Sequence, residues 1–239
     1  AHEQDVVKMS DSNQQNRMPL QDIRLIVFDW DGTLMDSEGQ IVTCLRAAML
    51  ELGLEPLADD ALRNVIGLGL REAIDTLIPG QDAAFQDAFV GHYRNHWFAS
   101  ESSCLFDGVR EVLEICKQQD FLLAVATGKS RRGLDRVLGE TGLDSCFDAT
   151  RCADEAPSKP HPGMLVDIMQ ALDVRPVQTI MVGDTEYDME MATKAGTGKV
   201  AVTTGVHTPE RLAQHEPMVT LHKLAEMPMW MAESGLIAP

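Results

Sequence analysis

The chain has 239 residues, of which 44% are hydrophobic and 24% charged, a composition that excludes an intrinsically disordered protein. Its formal net charge of −17 repels DNA, RNA and anionic membranes, so we expect neither nucleic acid nor a membrane as a partner. Five scattered cysteines without a CxxC pair, together with the lack of any apolar run of membrane-spanning length, predict a protein of a reducing, cytoplasmic compartment.

The first part of the chain predicts an extension followed by a buried strand. Residues 1–20 are polar and carry no hydrophobic leader pattern, so we predict a loose N-terminal extension. Residues 24–28 (RLIVF) form a near-continuous apolar run that is partly β-branched. Such a run is typical of a strand that is buried on both faces of a sheet.

A helical segment follows this strand. Apolar residues recur at helical spacing in four places, namely 41–52, around 61, 71–77 and 83–98. No strand pattern interrupts them. We therefore predict an all-helical insertion over residues 36–103, about 70 residues and so the size of a small domain.

After residue 106 the pattern changes to an alternation of strands and helices. Strands are predicted at 121–126, 179–182 and 199–202, and helices at 109–119, 130–140, 163–172 and 186–195. This alternation predicts an α/β fold with a parallel sheet and helices on both faces. The predicted catalytic core then comprises residues 21–35 and 104–239, and the helical insertion interrupts it.

Four polar clusters follow the apolar runs of the predicted core. They are Asp29-Trp30-Asp31-Gly32-Thr33, Thr127-Gly128-Lys129, Lys159 within Ser-Lys-Pro, and Gly183-Asp184-Thr185 with Asp188. Ligands of open α/β sheets bind at the carboxyl ends of the strands. The four clusters are therefore expected to converge on one crevice.

The carboxylates of these clusters suit a metal and a nucleophile. Asp29 and Asp184 offer the hard oxygen ligands that Mg²⁺ prefers, and Asp188 lies one helical turn after Asp184. Asp29 can also attack phosphorus and form an acyl phosphate. Asp31 can protonate a leaving oxygen and later deprotonate water, while its backbone carbonyl reaches the metal. The predicted metal ligands are Asp29, Asp31, Asp184 and Asp188.

The remaining predicted site residues are phosphate ligands. The Thr127 hydroxyl and the backbone N–H groups beside it, including that of Gly128, can cradle a phosphate. The Lys159 ammonium can neutralise both the phosphate and Asp29. Arg71 can bind an anionic group of the substrate, although a solvated arginine at a helix start explains it equally well. We expect Lys129 to be solvated or to start a helix.

Each cluster alone has an ordinary structural explanation. An Asp-Gly-Thr is commonly a turn, a Ser-Lys-Pro a loop, and Asp184 a helix cap. The four in this order, however, resemble the four motifs of the haloacid dehalogenase-like hydrolase superfamily: Asp29-x-Asp31-Gly32-Thr33, Thr127, Lys159 and Gly183-Asp184-x-x-x-Asp188. The resemblance covers roughly residues 22–225, and the helical insertion resembles the cap of phosphoglycolate phosphatases.

This resemblance implies a Rossmann-like core, Mg²⁺ as cofactor, a small phosphorylated metabolite as substrate, and a cap that closes over the site. It favours a phosphatase, because the dehalogenases of the superfamily lack a carboxylate at the position of Asp31. Phosphonoacetaldehyde hydrolases form a Schiff base with a cap lysine, and residues 34–105 contain no lysine, so this activity is not expected. A β-phosphoglucomutase-type mutase is the main alternative. Those enzymes carry a cap histidine near the position of Ile41, and its absence from this chain favours hydrolysis. An inorganic pyrophosphatase and a non-catalytic binding protein also remain open, as do the leaving group and the oligomeric state.

Overall fold

The computed structural model describes residues 18–238, and its core is one sheet of six parallel strands. The strands are β1 (Leu25–Phe28), β2 (Leu122–Ala126), β3 (Ala149–Arg151), β4 (Thr179–Gly183), β5 (Gly198–Val202) and β6 (Val219–Leu221). Their order across the sheet is β3-β2-β1-β4-β5-β6, so the first strand of the chain lies near the centre. The predicted α/β fold with a Rossmann-like parallel sheet is confirmed.

Ten helices accompany the sheet in the described residues. Four of them lie between β1 and β2 and form the helical insert: α1 (Glu38–Glu51), α2 (Asp59–Asn64), α3 (Leu70–Leu77) and α4 (Ala83–Ala99). The other six alternate with the later strands or follow them: α5 (Val109–Gln118), α6 (Arg131–Thr141), α7 (Gly163–Leu172), α8 (Glu186–Ala195), α9 (Pro209–Ala213) and α10 (Met227–Glu233). None of the described helices is both long and apolar enough to cross a membrane.

The sheet has a hydrophobic core on each of its faces. Because side chains alternate along a strand, β1 sends Ile26 and Phe28 to one face and Leu25 and Val27 to the other. The first face packs against residues of α5, α6 and α10, and the second against residues of α7 and α8. All four residues of β1 are fully buried, which explains why this strand is an uninterrupted apolar run.

The helical insert has a hydrophobic core of its own. Each of its four helices contributes a fully buried apolar side chain, namely Leu45, Leu62, Ile74 and Phe89. No strand occurs among residues 36–103, all of which are described. The all-helical character is therefore observed, whereas the division into a core and a cap domain at residues 36–103 stays a prediction.

The sequence patterns missed two strands and two helices. β3 and β6 are three-residue strands at the two edges of the sheet, and neither is fully buried, so their apolar signal is weak. The helices α9 and α10 are only five and seven residues long. Residues 1–17 lie outside the described part of the chain, so the predicted loose extension over residues 1–20 stays a prediction. Met18 and Leu20 pack against the core.

Candidate active site

The candidate site lies where the three central strands end. In the register of the sheet, Phe28 of β1 stands between Val125 of β2 and Val182 of β4. Asp29, Thr127 and Asp184 each directly follow one of these strands, so they leave the sheet at the same edge. The predicted convergence of the strand-end clusters thus follows directly from the strand register.

Lys159 lies between two of the carboxylates. It does not end a strand, as the sequence suggested, but belongs to the loop between β3 and α7. Its Nζ lies 2.8 Å from Asp29 Oδ1 and 2.7 Å from Asp188 Oδ1, and all three side chains are buried. Asp29 Oδ1 also accepts a hydrogen bond of 2.7 Å from the backbone N–H of Trp30. One oxygen of Asp29 is therefore fixed from two directions.

Asp184 is fixed by two loops that reach it from different strands. The Thr33 hydroxyl donates to Asp184 Oδ1 at 3.0 Å, and the backbone N–H of Val206 donates to Oδ2 at 3.2 Å. A Cβ at Gly32 would stand 2.3 Å from Asp184 Oδ2, and one at Gly205 only 1.6 Å from it. Both positions therefore need glycine, because the carboxylate occupies the space of a side chain.

Asp188 combines a local role in α8 with its contact to Lys159. Its Oδ2 accepts hydrogen bonds from the Thr185 backbone N–H at 3.1 Å and from the Thr185 hydroxyl at 2.8 Å. These bonds form a capping box at the first turn of α8. The box fixes Asp188 so that its other oxygen points to Lys159.

Asp29, Asp184 and Asp188 form a group that fits a divalent cation. One oxygen from each lies within 4.8 Å of the others, and this is the only such acidic, His or Cys group among the described residues. Among buried side-chain oxygens and nitrogens of residues 18–238, Asp29 Oδ2 is the single atom without a hydrogen-bond partner. Carboxylate oxygens are the ligands that Mg²⁺ prefers, so these residues suit that ion. Together with Lys159 they are called the charge cluster below.

The pKa values in the charge cluster reflect its excess of negative charge. Burial, followed by repulsion from Asp188, raises the pKa of Asp29 well above its ordinary value despite the attraction of Lys159. The same two causes raise the pKa of Asp184 to about 7. Burial alone would lower the pKa of Lys159, but the attraction of Asp188 and Asp29 outweighs it and raises that pKa. One ammonium is too little charge for three buried carboxylates.

Asp31 points away from the charge cluster. Its Oδ1 accepts a hydrogen bond of 2.6 Å from the Ser37 hydroxyl and lies 3.1 Å from Lys129 Nζ. Lys129 Nζ also stands 4.6 Å from the centre of the Trp97 ring on α4. The expectation that Lys129 is solvated is wrong, because its side chain is 8% exposed. Lys129 lies just before α6, and its ammonium forms an ion pair with Asp31, the carboxylate that is expected to act as acid and base.

Thr127 and Gly128 lie under the helical insert. The Thr127 hydroxyl is buried and accepts a hydrogen bond of 3.1 Å from the Lys129 backbone N–H. A Cβ at Gly128 would stand 2.5 Å from the backbone oxygen of Leu68 and 2.7 Å from that of Gly67. The glycine is therefore required by the close approach of the insert, and its part in phosphate binding stays a prediction.

Arg71 lies at the start of α3, as the alternative explanation for it requires. Its guanidinium donates to Asp87 Oδ1 at 2.6 Å, and more than half of its side chain is exposed. It borders the cavity described below. This placement favours a surface ion pair, and a contact of Arg71 with substrate stays a prediction.

The insert is closed onto the core in this structure. Asn64 at the end of α2 receives three hydrogen bonds: the Tyr187 hydroxyl donates to its backbone oxygen at 2.6 Å, His207 Nε2 lies 3.2 Å from the same atom, and Arg211 Nη1 donates to its side-chain oxygen at 2.8 Å. The backbone N–H of Gly69 donates to the Ser158 hydroxyl, next to Lys159, at 2.8 Å. Gly69 therefore brings the backbone of the insert into contact with the core.

A cavity of about 240 Å³ remains between the insert and the core, and it is called the insert cavity below. Most of its wall comes from apolar and aromatic side chains of α1, α4 and the segment between α2 and α3. Its core side includes Asp31, Gly128, Lys129 and Asp154. Asp31 therefore stands at the boundary between the insert cavity and the rest of the site.

Sequence reasoning missed several residues that shape this site. Lys129 had a usable signal, because it directly follows the Thr-Gly pair of the second cluster. Ser37, which bonds Asp31, follows the first motif closely but belongs to a residue type too common in turns to stand out. Gly205 and Val206 had no signal at all, since only the fold brings the loop after β5 to Asp184.

Comparisons with known proteins agree with this geometry. Residues 26–202 match the family model described as "Haloacid dehalogenase-like hydrolase". The chain is 36% identical over 210 residues to a Dickeya dadantii protein named "Probable phosphatase IndB", covering 85% of this chain and 91% of that one. It is 30% identical over 178 residues to the phosphoglycolate phosphatase of Aquifex aeolicus, covering 73% and 82%.

Solved structures give the same result. A haloacid dehalogenase-like family hydrolase from Streptococcus pneumoniae superimposes with a TM-score of 0.77 at 25% identity, covering 88% of this chain and 99% of that one. The family match spans well over half of the chain and includes all four polar clusters. The chain therefore belongs to the haloacid dehalogenase-like hydrolase family, and it is an enzyme.

Proposed function

We propose that this hydrolase is a Mg²⁺-dependent phosphatase that cleaves small-molecule phosphomonoesters through a phospho-aspartate on Asp29. The observation that carries the proposal is the unpartnered Asp29 Oδ2, buried beside Asp184 and Asp188 while Lys159 holds Oδ1. An unpaired buried carboxylate oxygen is costly in a folded protein, and its retention here is best explained by a functional partner. The phosphatase relatives support the same reaction class, phosphoric monoester hydrolysis.

The charge cluster supplies the binding site for the transferred phosphoryl group. Asp29, Asp184 and Asp188 would hold Mg²⁺, together with the backbone carbonyl of Asp31. The bound ion supplies positive charge that offsets the carboxylates and attracts phosphate oxygens. Lys159 and the Thr127 hydroxyl contribute the remaining positive charge and a hydrogen bond for the phosphate.

Asp29 is the nucleophile in this proposal. Its Oδ1 is fixed by Lys159 and by the Trp30 N–H, so the carboxylate enters the reaction already oriented. Attack on phosphorus forms the Asp29–phosphorus bond and breaks the bond to the alcohol oxygen. The lysine remains beside the carboxylate and neutralises charge throughout the transfer.

Asp31 serves as the general acid and then as the general base. It borders the insert cavity, where the alcohol part of a substrate fits, and Ser37 and Lys129 keep its Oδ1 in place. Asp31 first gives a proton to the departing alcohol oxygen. It then takes a proton from the water that hydrolyses the phospho-aspartate, which returns the enzyme to its starting state.

The helical insert acts as a cap in this scheme. We assign residues 36–103 to the cap and residues 21–35 and 104–239 to the catalytic core. The hydrogen bonds at Asn64 and Gly69 close the cap over Asp29, whose exposed fraction is 1%. Substrate entry requires the cap to open, and closure excludes water from the phosphoryl transfer.

Two further assignments complete the proposal. We place the enzyme in the cytoplasm because all five cysteines are free thiols, as expected in a reducing compartment. We favour a hydrolase over a mutase because Ile41, near which the mutases carry a histidine, is an apolar residue of the insert cavity. We propose a small phosphorylated metabolite as the partner of the enzyme.

The test is phosphate release from a panel of phosphomonoesters by the full chain. After treatment with EDTA we expect no release, and we expect Mg²⁺ to restore it. Folding of the metal-free protein is checked by circular dichroism. Metal-independent release, or no release from any phosphomonoester by the folded and Mg²⁺-supplemented protein, contradicts the proposal.

A further inference from the structure

We propose that the preferred substrates are phosphomonoesters of neutral alcohols with an apolar or aromatic body, and that the insert cavity binds this body. The proposal rests on the phosphatase function proposed above and specifies its substrate class. It depends on the lining, charge and volume of the cavity and on the position of Asp31.

The cavity wall is apolar where a leaving group would lie. The side chains that form it include Ile41, Leu45, Val65, Val90, Tyr93 and Phe98. Four of these, from Ile41 to Val90, are also buried members of the insert core, so their positions are fixed by packing. A preformed apolar wall binds an apolar group by removing it from water and offers few partners to the hydroxyl groups of a sugar.

The charges around the cavity do not suit a carboxylate. Three acidic residues (Asp31, Glu72 and Asp154) and three basic residues (Arg71, Arg94 and Lys129) border it, so they carry no net charge between them. Lys129 already pairs with Asp31, and Arg71 already pairs with Asp87. Arg94 lies at the exposed rim, where an ion pair contributes little. A substrate carboxylate would therefore be buried without a committed cation, which is costly.

The volume of the cavity points the same way. About 240 Å³ equals the volume of roughly eight liquid water molecules and accommodates a ring. Glycolate would fill only a small part of it and leave the apolar wall in contact with water. A leaving group with a ring would cover that wall and displace the water.

The cavity is placed so that the same substrate reaches the catalytic acid. Asp31 lies in its wall, held at Oδ1 by Ser37 and Lys129. An alcohol whose oxygen is protonated by Asp31 therefore has its body in the cavity and its phosphate toward Lys159. Burial raises the pKa of Tyr93 well above its ordinary value, so the hydroxyl stays protonated and can donate one hydrogen bond to the body.

The test compares kcat/KM of the Mg²⁺-loaded full chain for benzyl phosphate, phosphoglycolate and the primary phosphate ester of glucose, glucose 6-phosphate. All three release an alkyl alcohol, so their intrinsic reactivities are similar. We expect benzyl phosphate to be preferred by at least about tenfold over both others, the range that apolar pockets reach. Equal or better turnover of phosphoglycolate or glucose phosphate overturns the proposal.

A matched pair of variants sharpens the test. Leu68 is half-buried and borders the cavity from the segment between α2 and α3. Leu68→Lys adds a cation, and we expect it to shift the ratio of benzyl phosphate to phosphoglycolate turnover toward phosphoglycolate by at least about tenfold. Leu68→Met has a similar length and no charge, and we expect it to retain the preference for benzyl phosphate. An equal ratio in the two variants overturns the proposal.

Failure of the phosphatase function itself would look different. In that case the wild type would release no phosphate from any of these esters or from para-nitrophenyl phosphate, whose good leaving group needs neither the cavity nor a general acid. Failure of the substrate-class proposal leaves Mg²⁺-dependent turnover intact and changes only its ranking.

Discussion

The charge cluster and the insert cavity are adjacent but physically opposite. The cluster contains three carboxylates and one lysine, all buried, whereas the cavity is walled mainly by apolar and aromatic groups. Asp31 and Lys129 lie at their boundary. In the function proposed here, the core supplies the phosphoryl-transfer chemistry and the insert selects the alcohol. Changes in the cluster should therefore abolish turnover of all substrates alike, and changes in the cavity should reorder them.

The largest effect is expected from Asp29→Asn. The amide is not a nucleophile toward phosphorus, so kcat should fall by at least about 1,000-fold for every substrate. The variant should remain folded, because it removes one of three carboxylates that repel one another. Phosphate release measures the loss of kcat, and a thermal melt checks that the variant is folded. Residual activity above a few per cent that resists further purification rules out Asp29 as the nucleophile.

Removing Lys159 should cost the most stability. Lys159→Met leaves Asp29 and Asp188 buried without their shared cation, and breaking such a buried pair costs about 3–5 kcal/mol. Urea denaturation of the metal-free protein measures the loss. The double variant Asp29→Asn/Lys159→Met is the control, and it should be less destabilised because one of the unpaired charges is gone. Equal destabilisation of the single and double variants would show that charge is not the cause.

Lys129→Met tests the boundary between the two regions. Loss of the charged partner of Asp31, worth about 1.5–3 kcal/mol, should lower kcat/KM for benzyl phosphate by about 10- to 150-fold. The loss should be smaller for para-nitrophenyl phosphate, because its leaving group needs no proton. Mg²⁺ affinity should not change, since Lys129 does not touch the charge cluster. Lys129→Arg keeps the charge and is the matched control. Equal losses for both substrates would contradict a role through Asp31.

The smallest expected effect is the pH dependence of Mg²⁺ binding. Burial and repulsion from Asp188 raise the pKa of Asp184 from about 3.8 to about 7. The folded metal-free protein therefore binds a proton more tightly than the unfolded chain, and it loses this stabilisation as pH rises from about 4 to about 7. Mg²⁺ must displace that proton, so its affinity should fall by at least about tenfold per pH unit below 7. Calorimetric titrations of Mg²⁺ at about pH 6, 7 and 8 measure this dependence, and an affinity that does not change with pH contradicts the prediction.

The sequence was sufficient for the core because its strands are buried on both faces. The apolar runs of β1, β2 and β4 are continuous, and each is followed by polar residues that the parallel register then brings together. The edge strands β3 and β6 were missed because short, partly exposed strands carry little hydrophobic signal. The motifs along the chain therefore predicted which residues converge more accurately than the apolar patterns predicted the edges of the sheet.

The sequence was insufficient for the insert and for contacts between distant segments. Helical periodicity located α1 to α4 but gave no information on the shape or lining of the insert cavity. Lys129 was expected to be solvated or to start a helix, because no local pattern shows that α4 of the insert places Trp97 beside its ammonium. The Asn64 contacts join α2 to residues more than 120 positions away, which no local pattern predicts.

The phospho-aspartate on Asp29 can be detected directly in a rapid-mixing experiment on Asp31→Asn with para-nitrophenyl phosphate and Mg²⁺. This ester needs no general acid, so Asp29 should still be phosphorylated, whereas hydrolysis of the phospho-aspartate lacks its base. We expect a burst of nitrophenolate equal to one equivalent per active site, followed by slow turnover. After acid quench, mass spectrometry should find a phosphoryl group on the peptide that contains Asp29. A burst without phosphoryl on that peptide, or slow release without a burst, would contradict it.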